Sequence, residues 1–203
     1  MSARYLIPAA VCRVEESIKR SRFIATAAHA PDAEAARAFI DEVRAEFPDA
    51  THNCWAFAAG PPGDTASVGL SDDGEPHGTA GKPMLGAILH SDIGEVAVVV
   101  TRYFGGTKLG TGGLVRAYTQ LTNSALDALQ TREKVDTTTL LVTLPYPAVT
   151  QFKRLLPDFE AYIAEETYTD AAGFTVVLPE EHAETFIEAL AELTDGKAEA
   201  VGI

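Results

Sequence analysis

The chain has 203 residues, 46% hydrophobic and 22% charged, an ordinary globular mix with room for one large domain or two small ones around a packed core. No apolar run approaches the ~20 residues that cross a bilayer, and MSARYLIPAAVCRVEE lacks the basic start, long apolar stretch and cleavage site of a signal peptide; a cytoplasmic protein without membrane contact is expected. The net charge of −13 is uneven: residues 1–133 hold 12 Lys+Arg and 16 Asp+Glu, whereas residues 134–203 hold 4 and 13, so the second segment cannot act as a general glove for nucleic acid.

Strands are expected near Ala9–Ile18 and Arg22–Ala28. Asp32 is placed to cap a helix whose apolar positions Ala36, Phe39, Ile40, Val43 and Phe47 share one face, and Pro48 stops it. Between His52 and Ala59 both alternating sets are largely apolar, which predicts a well-buried strand. Gly60–Asp64 is a loop, and Thr65–Leu70 a short strand leading into Ser71–Pro83, SDDGEPHGTAGKP. Met84–Leu89 suits a short helix with Pro83 in its first turn. Glu95–Phe104, EVAVVVTRYF, reads as a core strand. Gly105–Gly113, GGTKLGTGG, follows, and then a helix with Leu114, Tyr118, Leu121, Ala125 and Leu129 on one stripe.

A boundary is expected near Thr131–Asp136, giving domains 1–133 and 134–203. Beyond it the pattern is strand Thr137–Leu144, helix Pro147–Leu156, strand Glu160–Tyr168, strand Phe174–Leu178, helix Glu181–Leu193 and strand Ala198–Ile203. That order, β-α-β-β-α-β, is the ferredoxin-like plan. The fold class expected is α+β in two domains.

The glycine-rich segments carry the chemistry. A nucleotide P-loop fails at 71–83, because Pro76 and Pro83 stand where glycine and Ser/Thr are required. The dinucleotide fingerprint fails at 110–115, where Val115 replaces the third glycine. Gly110, Gly112 and Gly113 before a helix, with Lys108 beside them, Arg102 at the end of the preceding strand and Arg116 one turn on, have the composition of an anion site. The same glycines also suit a tight turn and close helix–strand packing.

Asp72, Asp73, Glu75 and His77 admit turn chemistry, a metal loop or acid/base work. Turn chemistry is the simplest of these, and no metal is expected. Asp73, Glu75 and His52 are the candidate acids and bases, Ser71 and Cys54 candidate nucleophiles. His52 on a buried strand also reads as a hydrogen-bonded core residue. Tyr103 and Phe104 suit either base stacking beside a phosphate loop or closure of the sheet edge. Cys12 and Cys54 lack metal or disulfide spacing and read as buried small hydrophobes.

The blocks Ile18–Ala25 (IKRSRFIA), His52–Phe57 (HNCWAF), Ser71–Pro83 and Thr101–Tyr118 (TRYFGGTKLGTGGLVRAY) resemble the IMPACT/YigZ family, in the same order, and the C-terminal segment looks like the small second domain of its bacterial members. The resemblance implies an N-terminal domain like the second domain of a small-subunit ribosomal protein, and a ferredoxin-like C-terminal domain similar to one of elongation factor G. Within the signature, Ser71, Asp72, Asp73, Gly74, Glu75, Pro76, Gly78, Thr79, Gly81, Tyr103, Phe104, Gly105 and Gly106 are expected to shape the motif. The resemblance implies a translation-linked regulator; no cofactor is expected, and a binder is expected more than an enzyme. Its partner would be RNA, the ribosome or a translation factor, with no DNA specificity. Binding is expected on a face carrying Arg22, Lys82, Arg102, Lys108 and Arg116. An enzyme acting on a phosphorylated small molecule or nucleotide, in a cleft between the 71–83 and 105–113 loops, is the alternative; a protein-interaction module is a third reading. Asp72–Glu75 are expected to form one wall of a cleft, with Lys82 at its helix entrance and the glycine loop opposite.

Overall fold

The β-branched run expected to be a core strand lies at the centre of a five-stranded antiparallel sheet in the computed structural model, which describes residues 4–203. One compact unit is Tyr5–Lys134; the other is Val135–Ile203 with Arg4. The first unit contains β1 (Tyr5–Pro8), β2 (Cys12–Ile18), β3 (Ser21–His29), α1 (Ala33–Glu46), β4 (His52–Ala58), β5 (Val68–Ser71), α2 (Gly81–Leu89), β6 (Val96–Tyr103), α3 (Thr111–Asp127) and β7 (Thr131–Lys134).

The sheet order is β2-β3-β6-β4-β5. Because side chains alternate across a strand, each face is apolar. Val96, Val98 and Val100 of β6 join Phe23, Cys54 and Ala56 under α2 and α3, where Met84, Ile88, Leu114, Tyr118 and Leu121 complete the layer. Ala97 and Val99 face the other way and meet α1 through Ala36, Ile40 and Val43, with Phe57 alongside. α1 starts where the sequence places its cap: the Asp32 carboxylate accepts the Ala35 N–H at 2.7 Å.

Two strands have no counterpart in the sequence reading. β1 and β7 pair antiparallel, Tyr5 opposite Lys134 through Pro8 opposite Thr131. A buried carboxylate secures this ribbon. Glu95 accepts the Tyr5 hydroxyl (2.9 Å), bonds His29 Nε2 (2.7 Å) and pairs with Lys134. Burial by itself would raise the Glu95 carboxyl, but Lys134, His29 and Tyr5 outweigh it and hold the group below the usual carboxylate range.

The second unit contains β8 (Thr137–Leu144), α4 (Val149–Leu155) flanked by two 3-10 turns, β9 (Tyr162–Tyr168), β10 (Ala172–Pro179), α5 (Ala183–Thr194) and β11 (Glu199–Gly202). Its sheet order is β11-β8-β10-β9, antiparallel throughout. The expected ferredoxin-like plan and the α+β class are both present. Phe152 of α4 is fully buried, with Phe174 at 4.9 Å and Phe186 at 6.4 Å between ring centres. Truncating it leaves a cavity that the rigid sheet cannot close. Phe152→Ala is expected to cost about 3–5 kcal/mol in urea unfolding of the full chain; a loss below about 1 kcal/mol would contradict this packing.

Candidate functional site

The Ser71–Gly81 stretch joins β5 to α2, and its acids bind the chain's own groups. Asp72 Oδ1 accepts N–H from Ala80 (3.0 Å) and Gly81 (2.9 Å), and Oδ2 accepts Gly78 N–H (2.7 Å). It therefore caps the entrance of α2, whose N-terminal groups need an acceptor. Burial pushes its carboxyl up, but these three N–H groups win and hold it below the ordinary range. The Asp73 carboxylate accepts the Asn53 N–H (2.6 Å) and Arg44 (2.8 Å), fastening the loop to β4 and α1. Gly81 has no substitute, since a Cβ there would stand 2.9 Å from the Ser71 backbone.

Glu75 turns inward. Its side chain is 3% exposed, and Oε1 accepts both Arg102 Nη1 (2.5 Å) and the Tyr118 hydroxyl (2.8 Å). Arg102, on β6, also reaches Ser21 Oγ (3.2 Å), and its guanidinium lies over the rings of Phe23 (5.3 Å) and Phe104 (5.5 Å). Its buried Nε–H has no partner among the described residues. Tyr118 is fully buried on α3, and its hydroxyl stands 3.3 Å from Cys54 Sγ. Burial pushes the Tyr118 phenol upward and the Cys54 thiol to about 12, so near neutrality both keep their protons. This removes Cys54 as a ready nucleophile. Ser71 Oγ is engaged by the Asp73 N–H (3.1 Å).

His52, next to Arg102 across β4 and β6, bonds the Asp73 carbonyl through Nδ1 (2.8 Å), and its Nε2 lies 3.9 Å from Glu75 Oε2. Beyond this network a cleft of about 420 Å³ opens, lined by Thr51, His52, Glu75, Pro76, Arg102, Phe104 and the Lys108–Thr111 segment with Leu114. The two glycine-rich loops thus share one cleft. Gly110, at φ +77°, turns the chain into the first turn of α3, whose N–H groups favour an anion. Gly105 lets the loop pass the β2–β3 hairpin: a Cβ there would lie 1.8 Å from the Arg20 carbonyl oxygen. Phe104, 45% exposed, offers a ring face at the rim, and Thr51 Oγ1 accepts its N–H (3.0 Å).

The cationic face expected from the sequence does not assemble as one surface. Arg22 sits opposite Tyr103 in register, on the α1 side of the sheet, whereas Arg102 sits opposite Phe23 on the α3 side. Arg22 is held by Glu15 (2.7 and 2.8 Å) and stacks on Tyr103, whose hydroxyl donates to Asp49 (2.9 Å). Arg116 lines a separate groove of about 120 Å³ with Lys19, Leu109 and Gly113. Lys82 is exposed on α2 and does not line the cleft. Asp72 and Asp73 brace the loop and do not line the cleft either; Glu75 and Pro76 form that wall. Gly112 lies in the first turn of α3 with open space at its Cα, and Gly106 in the preceding loop at φ +82°. Among the described residues no cluster of three or more His, Cys, Asp or Glu has metal-site geometry. Tyr118 is the site residue the sequence reading assigned only to the core; a buried phenol needs a partner, and that requirement was its signal.

These features define a class: a two-domain α+β protein whose first domain carries a cleft between two glycine-rich loops. The family model described as the Impact N-terminal domain matches residues 19–126, over half of the chain, and a domain of unknown function, DUF1949, matches residues 142–197. The chain is 44% identical over 199 residues to an IMPACT family member, YigZ, of Escherichia coli (strain K12), covering 98% of each protein. It is 40% identical over 195 residues to an IMPACT family member of Haemophilus influenzae, covering 96% of this chain and 95% of that one. A crystal structure of a hypothetical protein, 44% identical, superposes with a TM-score of 0.70 over 100% of this chain and 98% of that one. The chain belongs to the IMPACT family.

The Asp72 cap has a pH signature. A carboxyl held low in the folded state adds stability above its unfolded value near ~4 and loses it as pH falls through the lower folded value. Asp72→Asn is expected to cost about 1–3 kcal/mol at pH 7, with the difference shrinking as pH falls below the unfolded value near ~4. Urea unfolding across that range checks it; a penalty independent of pH would contradict the assignment.

Proposed function

We propose that this protein is a cytoplasmic, translation-linked regulator that binds RNA, free or on the ribosome, through the cleft of its first domain. One observation carries the reading: the 71–83 and 105–113 loops meet at a single cleft that combines three kinds of group suited to a nucleotide. Lys108 makes no ion pair among the described residues, the first turn of α3 presents N–H groups, and the Phe104 ring stands exposed beside them. Arg102 supports the cleft; its charge is matched by Glu75. The acidic second domain repels a phosphate backbone and suits contacts with protein.

A second reading, an enzyme acting on a phosphorylated small molecule or nucleotide, has a narrower basis. Of the three acid/base candidates, Asp73 is occupied by Arg44 and the Asn53 N–H, and Glu75 by Arg102 and Tyr118. His52 alone keeps a nitrogen available to the cleft.

Fluorescence anisotropy with a short labelled oligoribonucleotide at two or more salt concentrations tests the RNA reading. Lys108→Ala is expected to weaken binding and lower the slope of log affinity against log salt by about 0.7, the value of one phosphate contact on a single strand. Phe104→Ala is expected to cost about 1–3 kcal/mol of affinity. Absence of binding at low salt, or binding untouched by both changes, would refute the reading.

A further inference from the structure

His52 is fastened on one side and available on the other. Its Nδ1 lies 2.8 Å from the Asp73 carbonyl oxygen, which can only accept, so Nδ1 carries the proton of the neutral ring. Gly74, at φ +86°, lies beside the imidazole, where a Cβ would stand 3.3 Å from Nδ1. Nε2 is therefore a bare lone pair at neutral charge. It is 3.9 Å from Glu75 Oε2, beyond hydrogen-bond length, in a side chain 20% exposed on the cleft wall.

The charges around it are few. From the 71–83 loop come Glu75 and the Asp73 carboxylate, the latter turned to Arg44 of α1 and the Asn53 N–H. From β6 comes Arg102, cancelled by Glu75, and from the loop before α3 comes Lys108. Tyr118 of α3 and Cys54 of β4 stay neutral. The cleft then holds one net positive charge, that of Lys108, when His52 is neutral, and two when His52 is protonated. Its volume of about 420 Å³ lies at the small end of the range for small-molecule sites, which suits one nucleotide and not a run of them.

We infer that the cleft seats the phosphate of a single nucleotide, free or within a strand, and that protonated His52 is a phosphate contact that complements Lys108 and the N-terminus of α3. The inference rests on the cleft being a phosphate-ligand site, as in the RNA reading. Affinity then rises as pH falls, because the bound phosphate favours the charged ring.

Two probes separate the sources of phosphate: adenosine 5′-monophosphate, and a hexauridylate without terminal phosphates, whose own charge is constant across the range. Calorimetric titration of the full chain at pH 5.5 and 8.0 is expected to show at least one probe binding about tenfold tighter at pH 5.5, the lower end for a charge-assisted contact. His52→Asn keeps a donor for the Asp73 carbonyl and removes the nitrogen facing the cleft; it is expected to erase the pH step. His52→Gln places an amide donor near the Nε2 position at every pH and is expected to bind without a pH step; circular dichroism checks that both variants fold. A pH-independent wild type, or a step that survives both substitutions, overturns the role of His52 and leaves RNA binding standing. Failure of both probes to bind at either pH overturns this inference and the RNA reading together.

Discussion

A carboxylate and a guanidinium buried together organise this molecule's first domain. Glu75 and Arg102 are 3% and 6% exposed, and neither would be tolerable alone in that environment. Their attraction is supplemented by Tyr118 on one oxygen of the carboxylate and by Ser21 on the guanidinium, which also lies over the rings of Phe23 and Phe104. Through this pair a loop between β5 and α2 is tied to the central strand, the β2–β3 hairpin and α3. Cleft geometry follows from it, since Glu75 and Arg102 both contribute to the wall. The pair also sets the electrostatics: the arginine is already matched, so Lys108 and the start of α3 hold the free positive character.

The loop residues around the pair serve the same end. Asp72 and Asp73 spend their oxygens on N–H groups and on Arg44, which holds Glu75 and His52 in one register. The glycines at 81 and 105 permit backbone approaches closer than any Cβ allows. A rigid wall built this way can orient a ligand at low entropic cost, which is what preorganisation contributes to binding. The second domain has its own aromatic core around Phe152.

Much of the architecture was legible because it follows local rules. Asp32 caps, the Val96–Tyr103 strand is buried on both faces, and the β-α-β-β-α-β order of the C-terminal segment can be read from alternating periods. The β1–β7 ribbon was not legible. TREK is polar, YLIP is short, and their pairing joins residues more than a hundred positions apart, so no local period betrays it. The site was half legible. The two glycine-rich loops stand out by composition, but which cations point where depends on register. Arg22 and Phe23 alternate, as do Arg102 and Tyr103, and only the pairing of Phe23 with Arg102 shows that Arg22 faces away. Arg116 and Lys82 lie on helices whose rotation about their axes is set by packing. The role of Tyr118 required its neighbours, because a helical stripe marks a phenol as buried without naming its partner.

The central claim is that the two loops, joined by the Glu75–Arg102 pair, form a single ligand cleft on the first domain. The most direct measurement is amide chemical-shift mapping of the full chain during titration with a short oligoribonucleotide. The account predicts saturable shifts concentrated at His52, Glu75 and Lys108–Gly113, on both walls at one ligand concentration. Shifts confined to the Arg116–Lys19 groove or to the second domain, or no shifts at all, would contradict it.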